Sequence, residues 1–311
     1  MTFYATSWNS HLSEWDGSVV YYYLRSMRLY YGFVTGTTTL VGCLASGHTL
    51  AEGRTWLLFA MGFLAWGFNQ IFSDWCDRKE DAINAPHRPM VTGALKPAPA
   101  FAVSLVGLAA IAVIGFALSP WTLVFLGLGG ALNIAYSLLK RVPVLNCLVY
   151  ACAISCCALF GWAGSVGALP PVERSLLLIA YLVPIHFLMC HNSYYKDVPG
   201  DRAAGVRTVQ ALFPRMAAIV SIGLMSAYVL VVGLWAVYDC GWVPLFLVVF
   251  ALSLYFGFAL RRGSLHRVTS LNCQLCVALL HFSVFDQTWP VCIVSLIAIN
   301  LLFLWYRDEK E

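Results

Sequence analysis

Charged side chains are scarce in this sequence, since Asp, Glu, Lys and Arg together occupy only 11% of its 311 positions. A soluble globular domain carries charge at about a quarter of its positions. Apolar residues instead make up 60% of the chain, and the mean hydropathy is +0.75. The shortage of charge excludes an ordinary soluble domain and indicates an integral membrane protein.

The sequence also lacks the short alternating segments that build membrane β-barrels. Its apolar residues run in blocks of about 20, the length at which a helix crosses the hydrocarbon core of a bilayer. We therefore predict an all-α fold, a polytopic transmembrane bundle of about nine helices. The predicted spans are residues 29–45, 55–72, 98–118, 121–139, 145–165, 175–190, 216–238, 241–260 and 289–305.

A tenth span is an open alternative, because residues 268–285 are apolar enough for a span or for a helix at the interface. We expect one membrane-embedded domain over residues 1–311, with residues 1–26 as a short N-terminal cytoplasmic segment. That segment lacks a signal-peptide pattern. The 11 cysteines lie mostly in apolar spans, which indicates packing and not a disulfide framework.

The basic residues are distributed unevenly among the loops. Of the 19 Lys and Arg residues, 15 lie before the first predicted span or after the second, fourth, sixth and eighth spans. Basic loops remain in the cytoplasm, so this side is predicted to be cytoplasmic. Because the charges occupy short loops between spans, they do not form the basic face of a nucleic-acid-binding protein.

An acidic segment follows the second predicted span. Asp74, Asp77 and Asp81 are three and four residues apart, a spacing that places carboxylates on one face of a helix. Three carboxylates on one face repel one another unless a cation lies between them. Mg²⁺ accepts carboxylate oxygens and leaves positions for phosphate oxygens and water. The segment therefore predicts a Mg²⁺ site at the cytoplasmic end of the span.

A second acidic pair, Asp197 and Asp201, follows the sixth predicted span on the same side of the membrane. Pro199 and Gly200 lie between the two acids and leave open whether a helix or a turn joins them. Neighbouring basic side chains suit the oxygens of a diphosphate that metal ions leave free. The alternative is that both segments are solvated loop charges, and their occurrence on one membrane face argues against it.

Together these segments resemble the two motifs of the UbiA superfamily of intramembrane prenyltransferases. The first motif is similar to Ser73-Asp74-x-x-Asp77-x-x-x-Asp81-x-x-Asn84-x-Pro86-x-Arg88-Pro89, with Ser73 in place of the usual Asn. The second is similar to Lys196-Asp197-x-x-x-Asp201, followed by Gly205-Val206-Arg207-Thr208. Residues 136–143 resemble the turn of the family between its fourth and fifth spans, and Arg28 lies where the family often has a basic residue.

The resemblance implies a central cavity that the two motifs close on the cytoplasmic side, with two Mg²⁺ ions bridging to an isoprenyl diphosphate; Mn²⁺ is expected to substitute. The implied catalytic and metal-binding residues are Asp74, Asp77, Asp81, Asp197 and Asp201. The implied diphosphate contacts are Arg88, Lys196, Arg141, Arg202 and Asn84. Roles stay open for five further residues, Ser73, Asn69, His186, His191 and Tyr136, each of which suits either the site or packing.

The function that this predicts is Mg²⁺-dependent transfer of the prenyl group through an allylic carbocation to a small-molecule acceptor, namely an aromatic or quinone precursor or a lipid alcohol. The alternative within the superfamily is a membrane terpene cyclase that acts on the isoprenyl diphosphate alone. An ion-coupled transporter is disfavoured, because the acids lie at helix ends and not at the midplane where carriers bind. The sequence does not determine the acceptor, the prenyl length or the oligomeric state.

Overall fold

A computed structural model describes residues 19–139, 142–196, 198–217, 219–221, 223–224, 227, 291, 294–295, 297–299 and 301–302. The predicted span 241–260 and the ambiguous stretch 268–285 lie outside the described residues. Most of the predicted spans 216–238 and 289–305 also lies outside them. The fold is therefore described from its first six spans.

The described chain consists of helices joined by short turns, and it contains no strand. The six long helices are α2 (Leu29–Ala45), α3 (Gly53–Cys76), α6 (Pro97–Leu118), α7 (Trp121–Leu138), α8 (Leu145–Val166) and α9 (Val172–Ser193). The short helices are α1 (Val19–Met27), α4 (Arg78–Asn84), α5 (Pro89–Thr92), α10 (Val198–Ala204) and α11 (Val209–Leu212), with a 3₁₀ turn at Tyr194–Lys196.

Five of the long helices, α3 and α6 to α9, are long and apolar enough to cross a membrane, and α2 is one residue shorter than the shortest of them. The prediction of an all-α membrane bundle is thereby confirmed. The predicted bounds of α2, α6, α7 and α8 agree with the structure to within one residue. Helix α3 continues four residues past the predicted end at residue 72, so Asp74 belongs to the span itself. Helix α1 was not predicted.

Helix α8 occupies the centre of the described bundle. It packs against α2, α7 and α9, while α3 packs against α2 and α6. Most of α8 is buried, whereas α6 and α7 expose apolar side chains such as Val106, Val113 and Leu128. Exposed apolar surface is expected where helices face lipid tails, which are as apolar as the side chains themselves. The outer helices α6 and α7 therefore form lipid-facing surface, and most of the side chains of α8 belong to the buried core.

Two glycines allow α2 and α8 to approach each other at backbone distance. A Cβ atom added at Gly42 would lie 1.8 Å from the carbonyl oxygen of Ala158, and one added at Gly161 would lie 2.1 Å from that of Thr39. Small residues at such crossings bring transmembrane helices close enough for tight packing. The α2–α8 contact thus depends on the absence of side chains at both positions.

Gly42→Ala and Gly161→Ala are each expected to lower the free energy of unfolding by roughly 1–3 kcal/mol, because the added methyl group forces the helices apart. Thermal unfolding in detergent micelles measures the effect. Gly127→Ala is the matched control, since a Cβ atom there meets nothing within 4 Å and alanine favours the helix. Equal unfolding temperatures for Gly42→Ala and the native protein would contradict the close contact.

Candidate active site

The first acidic segment spans the junction of α3 and α4, which meet at Asp77. The Asp77 amide donates to the carbonyl of Ser73 at 2.9 Å, and the Asp81 amide donates to the carbonyl of Asp77 at 2.8 Å. Helical hydrogen bonds therefore continue across the junction. Asp74 and Asp81 are buried, with 2% and 6% of their surface exposed, and Asp77 is half-buried. The acids sit at the end of the span as predicted.

Two arginines contact the buried carboxylates, and they come from opposite sides of the acidic segment in the sequence. Arg28 Nη2 donates to Asp74 Oδ1 at 2.7 Å. Arg88 Nη1 donates to the same oxygen at 3.3 Å and also to Asp81 Oδ2. Arg28 lies between α1 and α2 in the left-handed region, at φ 45°, which is uncommon for a residue other than glycine. The break between these helices thus coincides with the contact to Asp74.

A cleft with an empty volume of about 290 Å³ opens beside this cluster. Its lining includes Asp74, Arg28 and Arg88, together with Arg25 from α1 and His87 from the loop after α4. Three guanidinium groups beside the two carboxylates of Asp74 and Asp81 give this region a net positive charge, which suits phosphate oxygens. Arg25 and His87 were not predicted as site residues, because no motif spacing marks them and only the fold brings them to Asp74.

The second acidic segment meets the first, because α10 packs against α4. Helix α10 begins at Val198, so Asp201 lies on a helix that includes Pro199 and Gly200. Asp201 is 5% exposed, and its Oδ2 accepts a hydrogen bond of 3.0 Å from the Thr208 hydroxyl. Thr208 also accepts from the Ala211 amide at the start of α11. The segment at residues 205–208 therefore orients the carboxylate.

The buried position of Asp81 affects its protonation. Burial raises the pKa of the Asp81 carboxyl, while the charge and hydrogen bond of the Arg88 guanidinium oppose the shift. The neighbouring Asp74 carboxylate raises the pKa further. Two carboxylates in one buried region thus need positive charge nearby to remain ionised.

The donor set suits Mg²⁺, a hard cation that prefers oxygen ligands. One guanidinium nitrogen of Arg88 contacts both Asp74 and Asp81. The two carboxylates therefore lie on either side of a single positively charged group. Among the described residues, no three His, Cys, Asp or Glu side chains converge closely enough to hold a metal alone. Mg²⁺ commonly binds through one or two carboxylates plus substrate phosphates, and the cluster matches that mode.

An apolar cavity with an empty volume of about 930 Å³ lies among α2, α3, α6, α7 and α8. Its walls include Leu108, Ile111 and Phe125. Asn133 on α7 also lines it and donates through Nδ2 to Asn69 Oδ1 on α3 at 2.9 Å. Asn69 precedes Asp74 by five residues, which is about 7.5 Å along a helix. The cavity therefore extends into the membrane from below the first acidic segment.

The two histidines and Tyr136, whose roles were left open, lie in hydrogen-bonded positions within the bundle. His186 is fully buried, and its Nε2 lies 3.2 Å from the Thr38 hydroxyl. His191 Nε2 lies 2.9 Å from the Ala217 carbonyl oxygen. The Tyr136 hydroxyl lies 3.0 Å from that of Tyr194, which also accepts from Asn146 at 3.0 Å.

The remaining predicted residues are placed as follows. Ser73 is half-buried on α3, one residue before Asp74. Arg202 is exposed on α10, and its guanidinium donates to the Ala211 carbonyl at 3.3 Å and 3.4 Å. Arg141, Asp197 and the side chains of Asn84 and Lys196 lie outside the described residues.

Comparison with known families identifies one match that covers most of the chain. The UbiA prenyltransferase family matches residues 35–274. Bacteriochlorophyll synthase 33 kDa chain of Rhodobacter capsulatus is 31% identical over 206 residues, which span 60% of this chain and 65% of that protein. Digeranylgeranylglyceryl phosphate synthase of Natronomonas pharaonis is 29% identical over 229 residues, spanning 70% of this chain and 78% of that protein.

A solved structure shows the same fold. The structure of a UbiA homolog from Archaeoglobus fulgidus bound to GPP and Mg²⁺ superposes with a TM-score of 0.57. It is 14% identical in sequence and covers 92% of this chain and 97% of its own. The resemblance that the two motifs indicated is confirmed by the family match.

Proposed function

Because the chain belongs to the UbiA prenyltransferase family, we propose that it transfers a prenyl group from an isoprenyl diphosphate to a small-molecule acceptor within the membrane. The observation that carries the proposal is the meeting of α4 and α10, which brings buried Asp81 and Asp201 to one end of the bundle. The apolar cavity lies below that end. The diphosphate head group of the substrate can therefore bind at the charged end, and its apolar prenyl chain can lie in the adjacent cavity.

The diphosphate is held between carboxylates and guanidinium groups. Asp74, Asp77, Asp81, Asp197 and Asp201 would hold two Mg²⁺ ions, with Mn²⁺ able to substitute. Bound there, Mg²⁺ supplies Lewis-acid stabilisation of the charge on the departing diphosphate. Arg28 and Arg88, which neutralise the buried acids, and Arg25 in the same cleft donate to the remaining phosphate oxygens. Lys196, Arg141, Arg202 and Asn84 are proposed as further diphosphate contacts.

The reaction then proceeds by ionisation. The allylic C–O bond breaks, its electron pair leaves with the diphosphate, and a delocalised carbocation remains. The apolar walls of the cavity exclude water that would quench the cation. A nucleophilic atom of the acceptor forms the new bond to the allylic carbon and loses its proton. The chain contributes positioning, charge stabilisation at the head group and a dry cavity for the cation.

Product analysis tests the proposal. Purified protein is incubated with geranyl, farnesyl and geranylgeranyl diphosphates, with and without a panel of an aromatic quinone precursor, a glycerol phosphate lipid and a tetrapyrrole acid. We expect products by mass spectrometry whose mass is that of the acceptor plus the prenyl group, and little diphosphate release without an acceptor. Formation of a hydrocarbon or terpene alcohol from the diphosphate alone would identify a cyclase and overturn the proposal.

The active-site end of the bundle is proposed to face the cytoplasm, as the basic loops require. A membrane-impermeant maleimide tests this on intact cells in a background that lacks all 11 native cysteines, among which Cys76 is exposed. Cysteines introduced at Ala94 and Ala203 are expected to label only after the cells are opened. A cysteine introduced at Ala51, exposed in the opposite loop, should label in intact cells. The reverse pattern would show that the orientation is wrong.

A further inference from the structure

The paired amides of Asn69 and Asn133 are unusual in the wall of an apolar cavity. Two asparagine side chains carry four N–H donors and two carbonyl oxygens between them, and their mutual bond uses one of each. Both side chains are half-buried and line the cavity. In the part of the chain that the structure describes, neither amide makes a further hydrogen bond. Donors and an acceptor are therefore available at the cavity surface.

The two threonine hydroxyls in the cavity wall are already engaged with the backbone, whereas the buried indole N–H of Trp66, which also lines the cavity, has no hydrogen-bond partner among the described residues. The Thr35 hydroxyl donates to the Gly62 carbonyl at 2.8 Å, and the Thr39 hydroxyl donates to the Thr35 carbonyl at 2.9 Å. As far as the described residues form the lining, it contains no charged side chain. The amide pair, with the Trp66 indole N–H as a further donor, can thus recognise a polar group at this wall, and what it recognises is neutral.

We propose that the Asn69–Asn133 amide pair binds a neutral oxygen of the prenyl acceptor, a carbonyl or hydroxyl group carried on an otherwise apolar body. The inference rests on the proposed function, because it assigns a subsite to the second substrate of that reaction. A hydrocarbon chain in this position would leave the amides without partners, which is unfavourable in an apolar site. A carboxylate or phosphate would need a cation beside it.

The position of the pair is consistent with this role. Asn69 lies about 7.5 Å along α3 from Asp74, so an oxygen bound there places the body of the acceptor next to the carbon that ionises. Asn69 and Ser73 are four residues apart and share one face of α3. The acceptor subsite and the diphosphate site are therefore adjacent along one helix.

Direct binding without any diphosphate tests the inference. The probes are radiolabelled methyl naphthyl ketone, its hydrocarbon isostere isopropylnaphthalene, and naphthoate, measured on the full chain in nanodiscs. We expect the double variant Asn69→Leu/Asn133→Leu to bind the ketone about tenfold more weakly than the native protein and to bind the hydrocarbon equally well. Leu has the same number of side-chain heavy atoms as Asn and the same branching at Cγ, and because both positions are changed no amide is left unpaired. Naphthoate is expected to bind the two proteins equally, because its carboxylate suits the guanidinium cleft and not the amide pair.

Leu108→Ala is the matched control, because it removes apolar wall without touching the amides and should weaken the ketone and the hydrocarbon by the same factor. An equal loss for both neutral probes in the double variant, or no loss for the ketone, would overturn the inference. Weaker naphthoate binding by the double variant than by the native protein would overturn it as well. Prenyl transfer is measured separately, so failure of the proposed function appears as absent product whatever the probes show.

Discussion

Asp77→Asn and Asp201→Asn are each expected to lower turnover by about a thousandfold or more. Each change keeps the size of the side chain and removes one negative charge from a cluster that is proposed to hold the metal ions. Losing a metal that stabilises the leaving group raises the barrier by several kcal/mol, and each 1.4 kcal/mol is about tenfold in rate. Steady-state assays with a prenyl diphosphate and its acceptor measure the loss.

Both variants are expected to fold, so the loss of turnover should occur without a loss of stability. Neutralising one of several clustered acids relieves repulsion, and in Asp201→Asn the amide oxygen still accepts from the Thr208 hydroxyl. Glu173→Gln is the matched control. Glu173 is an exposed acid in the first turn of α9, whereas the second acidic segment follows the last turn of that helix. Native turnover in both Asp77→Asn and Asp201→Asn would contradict the proposal that these carboxylates hold the metal ions.

Arg88→Gln is expected to lower both stability and turnover. The change leaves the buried Asp81 carboxylate without its guanidinium partner, and an uncompensated buried charge costs about 3 kcal/mol of unfolding free energy. This is the low end of the usual range, because 21% of the Arg88 side chain is exposed. Turnover should fall about a hundredfold through the lost contact to the diphosphate. Adding Mg²⁺ should raise the unfolding temperature of this variant more than that of the native protein.

The double variant Arg88→Gln/Asp81→Asn separates the two effects. Removing the second charge is expected to restore most of the stability, because no buried carboxylate at residue 81 then lacks a partner. Turnover should remain low, since both the guanidinium and a metal-binding carboxylate are gone. Native stability in Arg88→Gln alone would contradict the ion pairs that place Arg88 between Asp74 and Asp81.

The helices were largely predictable from the sequence, since apolar length and punctuation by proline determine where a span begins and ends. Pro97 and Pro120 lie at the starts of α6 and α7. The predicted ends of both spans agree with the ends of the helices to within one residue. The end of α3 was missed because polar Ser73 and Asp74 lower the local hydropathy while the helix continues. Hydropathy detects where the hydrocarbon ends, and a helix often continues past that point.

Two contacts at the site were not predictable, because the partners lie far apart in the sequence. Arg28 and Asp74 are 46 positions apart, and Asn69 and Asn133 are 64 apart. Such pairs depend on which spans are neighbours, and periodicity within one span carries no information about that. The motif spacing predicts Asp74, Asp77 and Asp81 as metal ligands, because their relation is local to one helical face. Arg28 was noted only through the resemblance to the family, and no feature of the sequence distinguishes Asn133 as a site residue.

Thermal unfolding with a prenyl diphosphate analogue is the most direct test of the claim that two acidic helix ends hold the diphosphate through divalent metal. The probe is geranylgeranyl thiolodiphosphate, in which sulfur replaces the oxygen that joins the allylic carbon to phosphorus. This replacement makes ionisation slow. At a hundredfold excess over its Kd, the analogue should stabilise the native protein by about 2.7 kcal/mol, and only when Mg²⁺ is also present. The double variant Asp77→Asn/Asp201→Asn should show no stabilisation; equal stabilisation of both proteins, or stabilisation that persists in chelator, would contradict the claim.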